Sequence, residues 1–343
     1  MTHGSAGLSH EAKRIRLARG RRGEFHGIPP YVLSPLRDRA LSSVTAAFEV
    51  VRGQLYVDIG HDYHDTIFLA GSGRGGTTWV AELINFDNSY RLIFEGLRDR
   101  RFRPLHRRYL RPEDDDPALL SLIEPLVNGQ LRDLRADRYT RQLFPRKRLV
   151  KEIVANLCLS WLHHHFPEIP IILLVRHPGA VVYSRLRLGW NYGLRIFLRQ
   201  ESLMSDVLAP FRADMERVSS QLEIHTYHWC IETLVSLKQF KPGGMCLVFY
   251  EDVCMNPRRE LTRLLEFVGK PLDERAFAAA ERPSSQTLRM LPARDVLLHG
   301  WRERFTDKEL HRINEIVTQF GLDRLYGENG SPDMEAARQL FSG

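Results

Sequence analysis

The segment that most constrains this chain is residues 66–84. Thr66-Ile67-Phe68-Leu69-Ala70 is a short apolar run of the kind that makes a buried strand. It runs into Gly71-Ser72-Gly73-Arg74-Gly75-Gly76, where glycines let the backbone turn sharply and approach a ligand closely. Thr77-Thr78-Trp79-Val80-Ala81-Glu82-Leu83-Ile84 then reads as a helix opened by hydroxyl residues, which cap free N–H groups. A strand, a glycine loop and a helix N-terminus in that order form a cradle for an anion, and a nucleotide phosphate is the usual occupant.

The rest of the chain repeats the same alternation. Apolar runs recur at Tyr90–Phe94, Leu149–Val154, Ile169–Val175 and Met245–Tyr250. Helical stretches separate most of them: Leu157–Phe166, Ala180–Leu188, His225–Phe240 and Arg258–Val268. Strands alternating with helices predict an α/β fold in three layers, a central parallel sheet with helices on both faces and a P-loop-type binding loop. Residues 41–330 are expected to form a single domain, with residues 98–146 as a helical insertion over the site and 331–343 as a tail. Residues 1–40 read as a flexible basic extension, crowded with Lys13, Arg14, Arg16, Arg19, Arg21 and Arg22.

Composition narrows the function. The formal net charge of +7 suits an anionic substrate, a nucleotide or a nucleic acid. The four cysteines form no C-x-x-C pair, so neither a zinc site nor a disulfide framework is indicated, and a reducing compartment is the simpler reading. The basic arm lacks the apolar run of a signal peptide. No later segment reaches about 20 uninterrupted apolar residues. A cytoplasmic protein without a transmembrane segment is the expectation. Oligomeric state is not readable.

The loop has the spacing of the Walker A pattern from Gly71 to Gly76, but Thr77 stands where the lysine should be. An ATP or GTP enzyme uses that lysine on the β- and γ-phosphates, with Mg²⁺ on the next hydroxyl. This loop instead carries a cation inside the turn, Arg74, followed by Thr77 and Thr78. The run Arg74-Gly75-Gly76-Thr77-Thr78-Trp79 resembles the 5′-phosphosulfate loop of the sulfotransferases that use 3′-phosphoadenosine 5′-phosphosulfate (PAPS). That loop has a Lys or Arg, a hydroxyl residue, Gly, two hydroxyl residues and an aromatic. Gly75 departs from it and lacks one side-chain hydrogen bond.

Further segments carry the same resemblance in the same order. Leu174-Val175-Arg176-His177-Pro178 ends an apolar run, and Ser184 follows eight residues after Arg176. In the family, an Arg and a Ser so spaced contact the 3′-phosphate, and a guanidinium fork plus a hydroxyl suits a dianion. Tyr250-Glu251-Asp252, then Pro257 and Phe267-Val268-Gly269, resembles a stretch that positions the sheet. Gly300-Trp301-Arg302-Glu303-Arg304-Phe305-Thr306 resembles the family's C-terminal pattern, and Arg294 carries over as a weak 3′-phosphate contact. The resemblance spans roughly residues 65–325.

The resemblance implies sulfuryl transfer to an acceptor hydroxyl of a sugar, glycolipid or small metabolite, with PAPS as donor and no metal. Charge builds on the transferred group and the leaving oxygen, so fixed positive charge is needed there. Arg74 is the candidate, and Lys151 a second. A base must take the acceptor's proton. The His used by the cytosolic branch is Ile153 here. The carbohydrate-directed branches instead place a Glu at the end of the second strand. Arg91-Leu92-Ile93-Phe94-Glu95 supplies one, and parallel strands would bring Glu95 to the mouth of the loop. His106 and Glu152 are the alternative bases.

Two other classes compete. A P-loop NTPase or small-molecule kinase would want the missing lysine, although Glu251 or Asp252 could imitate its acidic motif. A basic nucleic-acid-binding module would show steep salt dependence, but no recognition motif is present. His163-His164-His165 cannot converge on one metal ion, because neighbouring helical residues point ~100° apart. Trp161, Trp190 and Trp229 could line an acceptor pocket, with Trp229 better read as core. Arg185, Arg187 and Arg195 could hold an acidic acceptor, with a solvated helix face the better reading.

Overall fold

The computed structural model describes residues 55–282, 294–327 and 329–341. Five strands form the sheet: β1 (Thr66–Gly71), β2 (Arg91–Phe94), β3 (Arg148–Glu152), β4 (Ile171–Val175) and β5 (Cys246–Phe249). Every residue in them is buried. Strands covered on both faces need no polar alternation, which is why the sequence shows continuous apolar runs. The order is β2-β3-β1-β4-β5, and all four pairings are parallel. The expected three-layer α/β fold with a parallel sheet is therefore observed.

The two faces of each strand feed two separate cores. Phe68, Ile93, Val150, Leu173 and Phe249 pack on one face with Tyr227, Trp229 and Ile231. Ile67, Leu69, Leu92, Leu149, Ile172 and Val248 pack on the other with Val80, Leu83, Leu261 and Leu264. The helices behind these side chains are α1 (Thr77–Ile84), α2 (Gln221–Lys238) and α3 (Pro257–Phe267). Helix α2 is buried without a break from Ile224 to Leu237. Such a helix lies inside the domain, so its polar members need partners.

The amino ends of β2 and β3 are closed by buried arginines. Arg91 Nε donates to Asp137 (2.9 Å) and its Nη1 to Asp58 (2.9 Å). Arg148 Nε donates to the Thr66 hydroxyl (3.0 Å). Residues 98–146 contain one α-helix, Pro117–Val127, and are otherwise built from short 3₁₀ turns and irregular chain. The basic arm, residues 1–40, lies outside the described residues, as does the side chain of Arg294, although its backbone opens the helix Arg294–His299. Among the described residues no helix is long and apolar enough to cross a membrane.

Candidate active site at the carboxyl ends of the strands

In a sheet of order 2-3-1-4-5 the chain leaves β1 in one direction and later crosses to the other, so a crevice opens beyond the end of β1. The glycine loop fills that position. Gly76 has φ 94°, in the left-handed region, and a Cβ there would stand 2.4 Å from the Tyr250 ring. The Gly75 N–H donates to Ser72 O at 2.8 Å, and a Cβ on Gly75 would crowd the same oxygen at 2.8 Å. This accounts for glycine where the resembling loops carry a hydroxyl residue. Arg74 itself has φ 75°, a costly conformation for a side-chain-bearing residue and one that clusters at functional sites. Gly76 is the N-cap residue of helix α1 and supplies no side-chain cap, which leaves the first amides of the helix for an anion.

A cavity of about 520 Å³ lies against this loop. Arg74, Gly76, Thr77, Thr78 and Trp79 form its floor. On the β4–β5 side it is lined by Arg176, Tyr250, Val253 and Leu297. The Arg176 guanidinium lies 4.2 Å over the Tyr250 ring and donates to Leu297 O (3.2 Å) and Arg74 O (3.4 Å). Among the described residues its Nε is buried without a partner, as is the indole N–H of Trp79. Unpaired donors beside an uncapped helix suit a phosphate. Ser184 Oγ accepts from Arg74 Nε at 3.0 Å. Burial, and then Arg176 and Arg187, push the Arg74 guanidinium below its ordinary range, so an anion there relieves repulsion.

On the β3–β2 side the lining is Lys151, Ile153, Phe94, Glu95 and Trp190, with Arg98, Arg135 and Arg138 beyond them. Lys151 Nζ donates to Glu95 Oε1 at 2.6 Å, and Arg98 Nη1 to Oε2 at 2.8 Å. Glu95 is in the left-handed region, with φ 52°, which turns its side chain back toward the strand ends. Burial pushes the Glu95 carboxyl up, but Lys151 and Arg98 outweigh it and hold the group below its ordinary range. Glu95 is therefore ionised at neutral pH.

The two alternative bases do not line the cavity. His106 Nε2 sits against Leu97 O, and burial lowers its pKa. Glu152 points to the opposite face of β3, where Oε1 accepts the Leu97 N–H (2.7 Å) and Oε2 has no partner among the described residues. Burial pushes its pKa up to about 8. Glu251, which could have imitated an acidic motif, accepts the His177 N–H at 2.9 Å and the Tyr326 hydroxyl at 3.3 Å. Both its oxygens are engaged in holding the turn after β4.

Arg185 is not on a solvated face: it is fully buried, and only Arg187 and Arg195 are exposed. Arg185 Nε donates to Gly73 O (3.0 Å) and Nη2 to Glu232 Oε2 (3.0 Å). Glu232 also accepts from Ser72 Oγ (2.7 Å) and from Arg107 Nε (3.0 Å). Burial pushes the Glu232 carboxyl up, yet Arg185 and Arg107 prevail and bring it down to about 2. This buried carboxylate, on the helix that packs beneath the loop, thus holds the loop from behind. A guanidinium can be buried when a carboxylate meets it, and that partner lies far away in sequence. Of the three tryptophans, Trp190 lines the cavity, while Trp161 and Trp229 are core, the latter donating to Arg176 O at 2.9 Å.

A P-loop-type cradle at the switch point of a parallel sheet defines a phosphate-binding α/β protein, and an arginine in the turn without the Walker lysine sets it apart from the NTPases. A family model described as the sulfotransferase domain matches residues 64–296, and the chain belongs to that family. Among solved structures, the sulfotransferase domain from the Synechococcus PCC 7002 olefin synthase is 17% identical, with 75% of this chain and 94% of that chain covered and a TM-score of 0.42. Mouse sulfotransferase SULT7A1 complexed with PAP is also 17% identical, covering 87% of this chain and 95% of that one, with a TM-score of 0.41. Sulfotransferase STF9 from Mycobacterium avium is 14% identical, covering 82% and 80%, with a TM-score of 0.38. No curated protein sequence matches the chain.

Proposed function

We propose that this sulfotransferase moves a sulfuryl group from PAPS to the hydroxyl of a small-molecule or carbohydrate acceptor. The observation that carries the reading is the uncapped start of α1 behind Arg74, with Thr77 in place of the Walker lysine and the orphaned Arg176 Nε at the next strand end. PAPS supplies an activated sulfuryl group on its 5′-phosphate. The Thr77 and Thr78 amides and hydroxyls and the Arg74 guanidinium suit the 5′-phosphosulfate. Arg176 suits the 3′-phosphate, with Tyr250 and Leu297 beside it. Ser184 acts through Arg74, whose guanidinium it orients.

The reaction then follows from the β3–β2 side. Glu95 takes the acceptor's proton as the acceptor oxygen attacks sulfur, and the bond from sulfur to the 5′-phosphate oxygen breaks. The product is adenosine 3′,5′-bisphosphate (PAP). Arg74 and Lys151 offset the charge that gathers on the leaving oxygen and the transferred group. A carboxylate held by both Lys151 and Arg98 is a weak base. Lys151 shared with the phosphosulfate would leave one Glu95 oxygen for the acceptor.

Thermal unfolding with PAP, ATP and GTP, with and without Mg²⁺, tests the reading. At about 100 times Kd, a ligand stabilises by about 2.7 kcal/mol. A domain of this size then melts roughly 5–8 °C higher. The shift is expected with PAP alone, without Mg²⁺, and is expected to vanish in Arg176→Ala measured against its own ligand-free melt. A shift confined to Mg·ATP would return the loop to the kinase reading. Glu95→Gln is expected to bind PAP normally and lose transfer; near-native turnover would remove Glu95 as the base.

A further inference from the structure

Among the described residues the cavity is lined by six cations and one carboxylate: Arg74, Arg98, Arg135, Arg138, Lys151 and Arg176 against Glu95. Three of them serve the donor in the reading above. Arg98, Arg135 and Arg138 do not, and the sheet order explains why. The donor contacts run from Lys151 on β3 through the loop after β1 to Arg176 and Tyr250 at the ends of β4 and β5, whereas these three lie beyond β2, at the edge of the sheet. They flank Glu95, the group that meets the acceptor.

Their donors are largely uncommitted. Arg135 uses one N–H, from Nη2 to Glu95 O at 2.8 Å. Arg138 stacks 4.4 Å over Phe94 and 4.8 Å over Tyr139, and among the described residues no carboxylate pairs with it. A guanidinium carries five N–H donors in a planar fork that matches an oxyanion. Stacking fixes the plane of that fork and leaves its edge open to the cavity. Two such forks beside one already neutralised carboxylate leave a net positive wall. Phe94, Ile153 and Trp190 add apolar surface at the same end.

We propose that the acceptor is itself an anion, a hydroxyl compound with a phosphate, sulfate or carboxylate group that Arg138 and Arg135 hold while its hydroxyl faces Glu95. This rests on the assignment of the loop to PAPS. The apolar lining favours an acceptor whose body is aromatic or otherwise apolar.

The test is calorimetric titration of the PAP-saturated protein at about 0.15 M salt with phenyl phosphate, benzoate and benzyl alcohol. Phenyl phosphate or benzoate is expected to bind at least about tenfold more tightly than benzyl alcohol. That preference is expected to fall about tenfold in Arg138→Gln and less in Arg138→Lys, which keeps the charge but not the fork. Equal binding of all three probes, or a preference untouched by Arg138→Gln, overturns the proposal. So does a preference lost in Arg199→Gln but kept in Arg138→Gln. That result puts the anion in the separate groove lined by Arg103, Arg108, Arg195 and Arg199. Titrating PAP first, before the three probes, keeps the two readings apart. If PAP does not bind, the donor assignment has failed; if PAP binds and the anions do not, only the acceptor inference has.

Discussion

Glu232 offers the sharpest test of how the loop is held. It is a carboxylate inside a helix that is otherwise sealed in the core, with Arg185, Arg107 and Ser72 on its two oxygens. Glu232→Gln keeps the shape but removes the charge that two buried guanidiniums share. Deleting one partner of a buried pair costs about 3–5 kcal/mol, because the remaining charge is left uncompensated. The amide can still accept one hydrogen bond, so the lower figure, about 3 kcal/mol, applies. At roughly 2–3 °C per kcal/mol for a domain this large, the melting temperature should fall by roughly 6–9 °C. The effect must also reach the ligand, since Ser72 and the Gly73 carbonyl are tethered through this group. PAP affinity should drop about tenfold, measured calorimetrically below the melting transition. Ser72→Ala removes only one charge-assisted bond and should cost about 1.5 kcal/mol. The sign with pH follows from the depressed carboxyl. Its contribution is complete above the ordinary carboxylate range and is lost as pH falls toward about 2. A Glu232→Gln protein that melts within a degree or so of wild type, with unchanged PAP affinity, would refute the argument that this network positions the loop.

Gly76→Ala should lose more than about 1 kcal/mol from its left-handed φ alone, and it must also push the Tyr250 ring off Arg176; PAP titration should show at least a tenfold loss. Glu152 keeps its proton up to about pH 8 in the fold but loses it near 4.5 when unfolded. Its raised pKa makes stability fall as pH rises between those values, so Glu152→Gln should match wild type in urea at pH 5 and exceed it at pH 8. Burial also lowers His177 to about 3 and His225 to about 4, and holds His228 well below its ordinary value. The unfolded chain takes up these protons near pH 6.5 and the folded one does not. Stability is thus complete above about 6.5 and falls as pH drops toward 4, visible as a urea midpoint that decreases from pH 7.5 to pH 5.

The sequence alone was enough for the strand–loop–helix unit, the other four strands and the α/β class. Buried parallel strands have to be apolar throughout, and a cradle needs glycine, so both leave local marks. Arg74 and Arg176 were legible for the same reason, since each sits beside a strand end that the pattern locates. The proximity of Glu95 to Lys151 was not, because it depends on β2 pairing with β3 rather than with β1. Nor was the burial of Arg185, whose sequence neighbourhood of alternating arginines reads as an exposed face. Charges are stable inside only where an opposite charge arrives from elsewhere, and Glu232 arrives from a different helix. The same holds for Arg98, Arg135 and Arg138. They lie in a stretch with little regular structure, and only the packing of that stretch against the end of β2 gathers them around one cavity. Periodicity is a local property of the chain, whereas the pairing of charges is decided by the assembled sheet.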